Sequence, residues 1–564
     1  MQIERVKRDR YVPAYCLAIL MAAVAMVRLA VLNPHVLFQF QEQQLFMSGW
    51  DFFRETMHHP GGPFTWAGLY LQQYFYYPVI GAVMLALVWV CGFLASVRAF
   101  RLRGVLSAVA VLPVAGLMSA LLCTGYWIYV LKVPEYAFTP SLMYLASMLV
   151  CLGLCRLRLA VIWQSLACII YMLFGLWWLR IAMVPETLRI TFYVSFFSAL
   201  LFGPVSLIDR WSSRLPFAVG VIFALGASLF LWFYTGANTY RSDAYRTEMV
   251  MSRAIEEGRW QDAVDAAQTL DTGSAVTKAT RQVWLMRQVA LMNLGKMGSD
   301  LYAYTNNTVL PRATAGVKVH MVEVGGPLLY FMNGRTHFAY RWCMENMVEY
   351  GPSVARLRLM TMCAIVNAED DLARRYLGIL SRTRFYRKWA AEQYALLEDR
   401  QQIEKSEPYR ISSRFQSDLT NVTDGDNGLC ELFLTVSYGG RNGVKDPLLS
   451  ELCLNYAMIQ MNPAHFWMQF MNYVELNGTE NIPLYYRQAA ALYSIVDPFS
   501  TPDADLDALG VDESLRSSFE KLLADVRSKA EKGISVESLA RQTYPEYGHS
   551  YFWFYLFCQD NTTY

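Results

Sequence analysis

The hydrophobic pattern divides the chain into two unlike parts. Runs of about 20 apolar residues, the length with which a helix crosses a bilayer, crowd the first 235 residues, and no such run follows Tyr240. The predicted spans are 11–32, 78–97, 105–131, 136–155, 159–179, 188–208 and 216–234, the fourth interrupted by Pro140. The pattern predicts an all-α protein: a polytopic membrane domain of about seven spans, residues 1–239, followed by an outer helical domain.

Basic residues in the short loops predict the orientation, because such loops face the cytoplasm. One set of loop ends carries Arg5, Lys7, Arg8, Arg10, Arg98, Arg101, Arg103, Arg156, Arg158, Arg210 and Arg214. The opposite set carries Arg54, Lys132, Arg180 and Arg189, offset by Glu42, Asp51, Glu55, Glu135 and Glu186. We therefore expect a bacterial inner-membrane protein with a cytoplasmic N-terminus and a periplasmic C-terminal domain.

The first span carries two features of its own. Ala23-Val24-Ala25 resembles a signal-peptidase site, but the apolar run continues through Leu32, which favours an uncleaved anchor. Arg28 lies near the outer end of this span, where its side chain can reach the lipid headgroups. The alternative is that Arg28 belongs to an internal polar site.

Composition supports the membrane assignment and narrows the partners. Hydrophobic residues make up 54% of the 564 residues and charged residues only 17%, and mean hydropathy is +0.21. The 49 basic and 47 acidic residues give a net charge of +2, which argues against a nucleic-acid partner and leaves the lipid bilayer as the expected one. Eleven cysteines without a CxxC pair predict free thiols rather than a disulfide scaffold.

The first outer loop, residues 33–77, is too long for a simple connector. Leu45, Phe46, Trp50, Phe53 and Met57 recur at helical spacing, which predicts an amphipathic helix on the membrane surface. The segment from His58 to Pro63 ends this helix, and a second aromatic helix is predicted from 64 to 77.

This loop resembles the first outer loop of C-type glycosyltransferases, which use polyprenyl-phosphate-linked sugar donors. The resemblance covers residues 11–235 and implies that Glu42, in Gln41-Glu42-Gln43, is the catalytic residue, which acts as the base or contacts the acceptor. The implied substrate-binding candidates are Arg54, Asp51, His59, Arg180 and Arg189. The alternative is that Glu42 caps the surface helix and that the outer arginines meet ordinary headgroups.

Motifs for cofactors are lacking. The sequence has no P-loop, GxGxxG, GxSxG or HExxH signature and no zinc-type Cys/His spacing, so no cofactor is identified. A divalent metal ion is expected as a cofactor only if the protein is a glycosyltransferase. The adjacent pair His58 and His59 lies on a tight turn, where two imidazoles rarely reach one ion.

The outer domain contains a turn that resembles the tetratricopeptide hairpin. Gly258 is followed by Trp260 and Ala263, and similar turns recur at Gly295, Gly334 and Ala368. We expect tetratricopeptide-like repeats forming an α-solenoid over 240–405, an irregular segment over 406–445 and a C-terminal helical region over 446–564. Asp424 to Gly428 is interpreted as an Asx/Gly turn rather than a calcium loop.

The whole chain resembles an uncharacterised family of multi-pass membrane proteins of the Bacteroides group. The residues that carry this resemblance are Glu42-Gln43-Gln44-Leu45-Phe46, Pro60-Gly61-Gly62, Gln73 to Pro78 and the aromatic C-terminus. Two hypotheses follow. The chain is a scaffold whose solenoid binds cell-envelope proteins, or it is a glycosyltransferase-like enzyme acting on a lipid-linked sugar. Transport is a weaker third reading because the spans hold few charges.

Overall fold

The structure is a computed structural model, and it describes residues 11–58, 61–133, 135–208, 216–270, 279–304, 308–309, 321–407, 409–416 and 445–558. It confirms the all-α class. Within these ranges the β-structure is one parallel pairing of two-residue strands, Ala279–Thr280 with Thr308–Val309. The described residues form two compact units, one comprising the chain up to Arg241 together with Cys343–Glu398 and the other comprising most of the remainder.

The first unit contains the apolar helices and the first outer loop. Its α-helices are Val12–Met26, Pro34–Glu42, Trp50–His58, Gly62–Gln72, Pro78–Ala99, Val111–Leu122, Thr139–Leu154, Ala160–Ile181, Glu186–Leu200, Phe202–Ser206, Phe217–Ala237, Val354–Val366, Asp370–Leu380 and Arg387–Glu398. A π-helix, Val27–Leu32, extends the first of them. The 3₁₀-helices are Gln73–Tyr76, Gly104–Ala110 and Gly125–Tyr129.

Six helices in the described ranges are long and apolar enough to cross a membrane. They are Val12–Leu32, Pro78–Ala99, Gly104–Leu122, Ala160–Ile181, Glu186–Ser206 and Phe217–Ala237. The third ends at Leu122 rather than at the predicted residue 131. Gly125 has a left-handed φ of 51°, and the carbonyl of Leu122 accepts a hydrogen bond from the Tyr240 N–H.

The predicted fourth span is the shorter helix Thr139–Leu154, which begins beside Pro140 because proline fits the first helical turn. Its 16 residues extend about 24 Å at 1.5 Å per residue. Its two ends nevertheless lie beside the two ends of Pro78–Ala99. The rings of Phe75 and Phe138 stack at 5.1 Å at one end. At the other end, Gln164 Nε2 donates to the carbonyls of Ala99 and Cys151, at 3.0 and 2.9 Å.

Neutral polar side chains join the apolar helices of the first unit. The Trp89 indole donates to Ser141 Oγ at 2.9 Å, and the hydroxyls of Tyr171 and Ser195 lie 3.1 Å apart. Each of these groups is buried. A buried polar atom without a partner is costly, so these pairs satisfy the polar groups and also fix which helices pack together.

The outer loop departs from the predicted two-helix arrangement. A helix that the hydrophobic pattern did not predict, Pro34–Glu42, occupies its start. The surface helix begins only at Trp50, so Leu45 and Phe46 precede it in non-helical chain and are buried. The predicted role of Glu42 as a cap of this surface helix was wrong, because Glu42 ends a different helix.

The second unit consists of helices joined by short turns. Its α-helices are Asp243–Glu256, Trp260–Gln268, Arg281–Asn293, Met297–Asp300, Met321–Val324, Gly326–Met332, Tyr409–Gln416, Pro447–Gln460, Pro463–Asn477, Leu484–Val496, Glu513–Glu531, Val536–Tyr547 and Tyr551–Phe557. The 3₁₀-helices are Leu301–Ala303 and Arg400–Lys405. Helix Thr336–Tyr350 runs from this unit into the first.

The four predicted repeat turns all lie between helices. Gly258, Gly295, Gly334 and Ala368 have left-handed φ values of 68°, 66°, 71° and 60°, the conformation that commonly ends a helix. The first three belong to the second unit and Ala368 to the first. The predicted block 240–405 is therefore divided between the two compact units, and a continuous solenoid over it stays a prediction.

The remaining sequence expectations have mixed outcomes. Cys343, Cys363, Cys453 and Cys558 are buried free thiols, as predicted. Cys430 and the Asp424–Gly428 turn lie outside the described residues. Most of the predicted irregular segment also lies there.

We predict that Gly116→Ala destabilises the first unit. A Cβ at this position would lie 2.7 Å from the Ser195 backbone nitrogen and 2.8 Å from the Thr191 carbonyl oxygen, and overpacking of this kind costs about 1–3 kcal/mol. The melting temperature of the purified chain in detergent measures the effect. Gly226→Ala is the matched control, because its Cβ meets nothing within 4 Å, and equal melting temperatures for the two variants would contradict the prediction.

Candidate functional site

Glu42 is placed by the short helix Pro34–Glu42. Pro34 occupies the first turn, where its missing N–H costs nothing, and the helix buries Leu37 and Phe40 on one face. Glu42 is the last residue, so its carboxylate lies at the partially negative end of the helix dipole. This position is unfavourable for an anion unless a cation or strong donors compensate it.

The compensating groups come from a distant part of the chain. The Tyr386 hydroxyl donates to Glu42 Oε1, and it lies 2.8 Å from Gln41 Oε1. Arg358 Nη1 lies 3.3 Å from Glu42 Oε2, which makes a salt bridge with side-chain exposures of 17% for Arg358 and 7% for Glu42. Both carboxylate oxygens of Glu42 are therefore engaged inside the protein.

Aromatic rings enclose this polar cluster. The Arg358 guanidinium lies 5.4 Å from the ring centre of Tyr386 and 5.3 Å from that of Trp389, within cation–π range. Tyr76 stacks on Phe385 at 5.0 Å and meets the Tyr386 ring edge-to-face at 5.7 Å. These rings exclude water, which strengthens the ion pair and raises the cost of breaking it.

Burial and charge act together on the Tyr386 phenol. Its burial raises the pKa well above the usual value, and the nearby Glu42 carboxylate raises the pKa further, while Arg358 acts in the opposite direction. The phenol therefore stays protonated at neutral pH. In this state it is a hydrogen-bond donor to Glu42 rather than a base.

Backbone hydrogen bonds hold the same two chain segments together. The Ser48 N–H donates to the Arg382 carbonyl at 3.3 Å, and the Val354 N–H donates to the Gln44 carbonyl at 3.1 Å. The outer loop and residues 343–398 are thus one folded piece. Glu42 lies within it rather than on an open membrane-facing surface.

A second buried cation lies close by. Arg356 donates to the carbonyls of Gly351 and Tyr129 at 3.0 and 3.1 Å, and burial lowers its pKa to about 10. Together with Gln43 and Phe40 it lines a small cavity completed by Ile128, Tyr129, Leu131, Val133 and Tyr350. The cavity has room for about one water molecule, which is too small for a sugar.

The other predicted site residues are not brought to Glu42 by any contact described for them. Arg54 pairs with Asp51 at 3.9 Å, and both side chains are largely exposed. Arg189 Nε donates to the Val184 carbonyl at 2.5 Å, while Arg180 is exposed at the end of its span. His59 lies outside the described residues.

Sequence reasoning missed Arg358 and Tyr386, which are the partners of Glu42. They lie 316 and 344 residues away along the chain, inside a segment that was assigned to helical repeats. The available signal was a pair of arginines, Arg356 and Arg358, on the mainly apolar helix Val354–Val366, followed by the aromatic group Phe385, Tyr386 and Trp389. Neither feature identifies its partner without a structure.

Metal-binding groups are also absent from this region. Within the described ranges, no three His, Cys, Asp or Glu side chains converge in a way that could hold an ion. Glu135, another buried acid of the first unit, accepts a hydrogen bond from Thr65 Oγ1 at 2.9 Å. It stabilises the contact between the outer loop and the start of helix Thr139–Leu154.

Comparison with known proteins identifies a family for this chain, but that family has no known activity. The match covers residues 10–559, nearly the whole chain. The chain belongs to DUF6057, a family of unknown function. No curated protein and no solved structure matches it. The DUF6057 match thus extends over residues of both units and leaves the function to be inferred from the residues.

We predict that Arg358→Met lowers the free energy of unfolding by about 3 kcal/mol, because it leaves a buried carboxylate without its cation. Adding Glu42→Gln to that variant should restore part of the loss, since the uncompensated charge disappears. Thermal unfolding of the two single variants and the double variant in detergent measures the coupling. Arg54→Met is the control, and its exposed pair should contribute less than about 1 kcal/mol. Additive effects at Glu42 and Arg358 would contradict this account.

Proposed function

We propose that this protein is a membrane-embedded scaffold of the bacterial cell envelope, whose water-exposed helical parts bind other proteins. The observation that carries the proposal is the state of Glu42. Its side chain is 7% exposed, ion-paired with Arg358 and hydrogen-bonded to Tyr386. These contacts give it a structural role in joining two distant segments of the first unit.

The same contacts argue against the alternative, a C-type glycosyltransferase-like enzyme using a polyprenyl-phosphate-linked donor. A general base must come within hydrogen-bond reach of the acceptor proton, and both oxygens of Glu42 already have partners inside the protein. Pairing with arginine also stabilises the ionised form and makes it a weaker base. The candidate phosphate-binding residues Arg54 and Arg189 have contacts elsewhere.

The second unit offers a surface for protein binding. Phe499 is completely exposed, and nearby Val496 is 42% exposed. Exposed aromatic side chains of this kind are frequent anchors of protein interfaces. We propose that this end of helix Leu484–Val496 contacts an envelope protein.

The proposed location is the inner membrane, with the N-terminus in the cytoplasm and the second unit in the periplasm. Support comes from helix Thr139–Leu154, whose ends lie beside both ends of Pro78–Ala99. Counting it with the six longer helices gives seven crossings, an odd number. The basic residues of the short loops indicate which side of the membrane faces the cytoplasm.

We predict that a membrane-impermeant maleimide labels Asp51→Cys and Lys532→Cys, but not Arg101→Cys, in cells with a permeabilised outer membrane. All three positions are exposed, so accessibility within the fold does not separate them. The wild-type chain measures background from native cysteines. Joint labelling of positions 101 and 532, without 51, would indicate six crossings and contradict the proposed topology.

Function is tested with a photoreactive phenylalanine analogue at Phe499 in the full chain, in its host membrane. The scaffold proposal predicts a discrete cross-link to an envelope protein, absent when the same analogue replaces exposed Glu520. In parallel, lipid-linked sugars and envelope glycans are profiled for Glu42→Gln, which retains an acceptor for Tyr386. An unchanged profile at matched protein levels supports the scaffold. Accumulated donor or a missing glycan in Glu42→Gln would overturn it in favour of the enzyme.

A further inference from the structure

Two arginines meet at the end of the last span. Arg28, on the π-helix Val27–Leu32, donates from Nη2 to the Trp232 carbonyl at 2.7 Å. Arg241 donates from Nη2 to the Gly236 carbonyl at 2.8 Å. A Cβ on Gly236 would lie only 2.5 Å from Arg28 Nη2, so both guanidinium groups lie against the same turn of helix Phe217–Ala237.

The contacts leave this pair with an excess of positive charge. The carbonyls that accept from the two guanidinium groups belong to a helix C-terminus, which carries about half a negative charge. The Nε of Arg28 is buried and has no hydrogen-bond partner.

The surroundings indicate where a compensating anion comes from. The Arg28 guanidinium lies 3.8 Å from the ring centre of Trp232. The neighbouring residues on the two helices are apolar and exposed: Val31 at 65% and Phe233 at 68%. In an apolar helix of membrane-spanning length, such residues face lipid.

We propose that Arg28 and Arg241 bind the phosphate of an anionic phospholipid at the outer end of the first and last spans. Two guanidinium forks match the oxygens of a phosphodiester, while the exposed apolar side chains beside them accommodate an acyl chain. The small residue Gly236 makes the close approach of Arg28 possible. This site is separate from the Glu42 cluster and does not depend on the proposed scaffold function.

The test uses the full chain in nanodiscs of zwitterionic lipid, titrated with a short-chain phosphatidylglycerol. Native mass spectrometry counts bound lipid, and thermal unfolding gives an apparent Kd. Each of Arg28→Gln and Arg241→Gln should weaken binding about tenfold or more, the equivalent of one lost charge-assisted hydrogen bond. Arg158→Gln, at an exposed arginine between helices Thr139–Leu154 and Ala160–Ile181, should bind as the wild type does.

Two further measurements, a competition with inorganic phosphate and a conservative variant of Arg28, can contradict the proposal. Inorganic phosphate at millimolar concentration should not compete, whereas equal stabilisation by phosphate would indicate a free-anion site and overturn the lipid assignment. Arg28→Lys keeps the charge without the fork and serves as the folded comparison if Arg28→Gln is unstable. The proposal would be overturned if the Arg241→Gln variant and the Arg28→Lys variant each bound phosphatidylglycerol with wild-type affinity.

Discussion

Burying one carboxylate constrains the arrangement of the first unit. Glu42 is the C-terminal residue of its helix, where the helix dipole disfavours an anion, and it has little access to water. An unpaired charge there would cost several kcal/mol, so the fold must bring a cation and a donor to it. Arg358 and Tyr386 supply these groups, and the segment that carries them belongs to the first unit.

The contacts between the apolar helices depend on uncharged polar groups rather than on ion pairs. Contacts between helices are made by neutral groups such as Ser141, Gln164 and Tyr171, each hydrogen-bonded to a neighbour. Charged arginines are placed at the ends, where Arg28 and Arg241 meet helix carbonyls. Neutral hydrogen-bonding groups thus determine which spans pack together. The arginines lie at the helix ends, where water and lipid headgroups can solvate their charge.

Hydrophobic periodicity was sufficient to predict the helical class and most span positions, and the pattern of small residues was sufficient to predict four turns between helices, because each feature depends on local sequence. Gly258 and Gly295 identify their turns through a backbone conformation that glycine adopts without strain. The pairing of Glu42 with Arg358 joins residues 316 apart, and no local pattern encodes it. The same reason explains why Glu42 was expected to be a catalytic base or a helix cap and why residues 343–398 were grouped with the repeats.

The separation of Glu42 from Arg358 also has a consequence for biosynthesis. Synthesis proceeds at about 5–20 residues per second, so the 316 residues between them take on the order of 15 to 60 seconds to make. For that interval the inserted spans exist without the segment that neutralises the carboxylate. The first unit therefore completes its fold only after residues 242–342 have been made, and a chain terminated before Cys343 lacks the segment that pairs with Glu42.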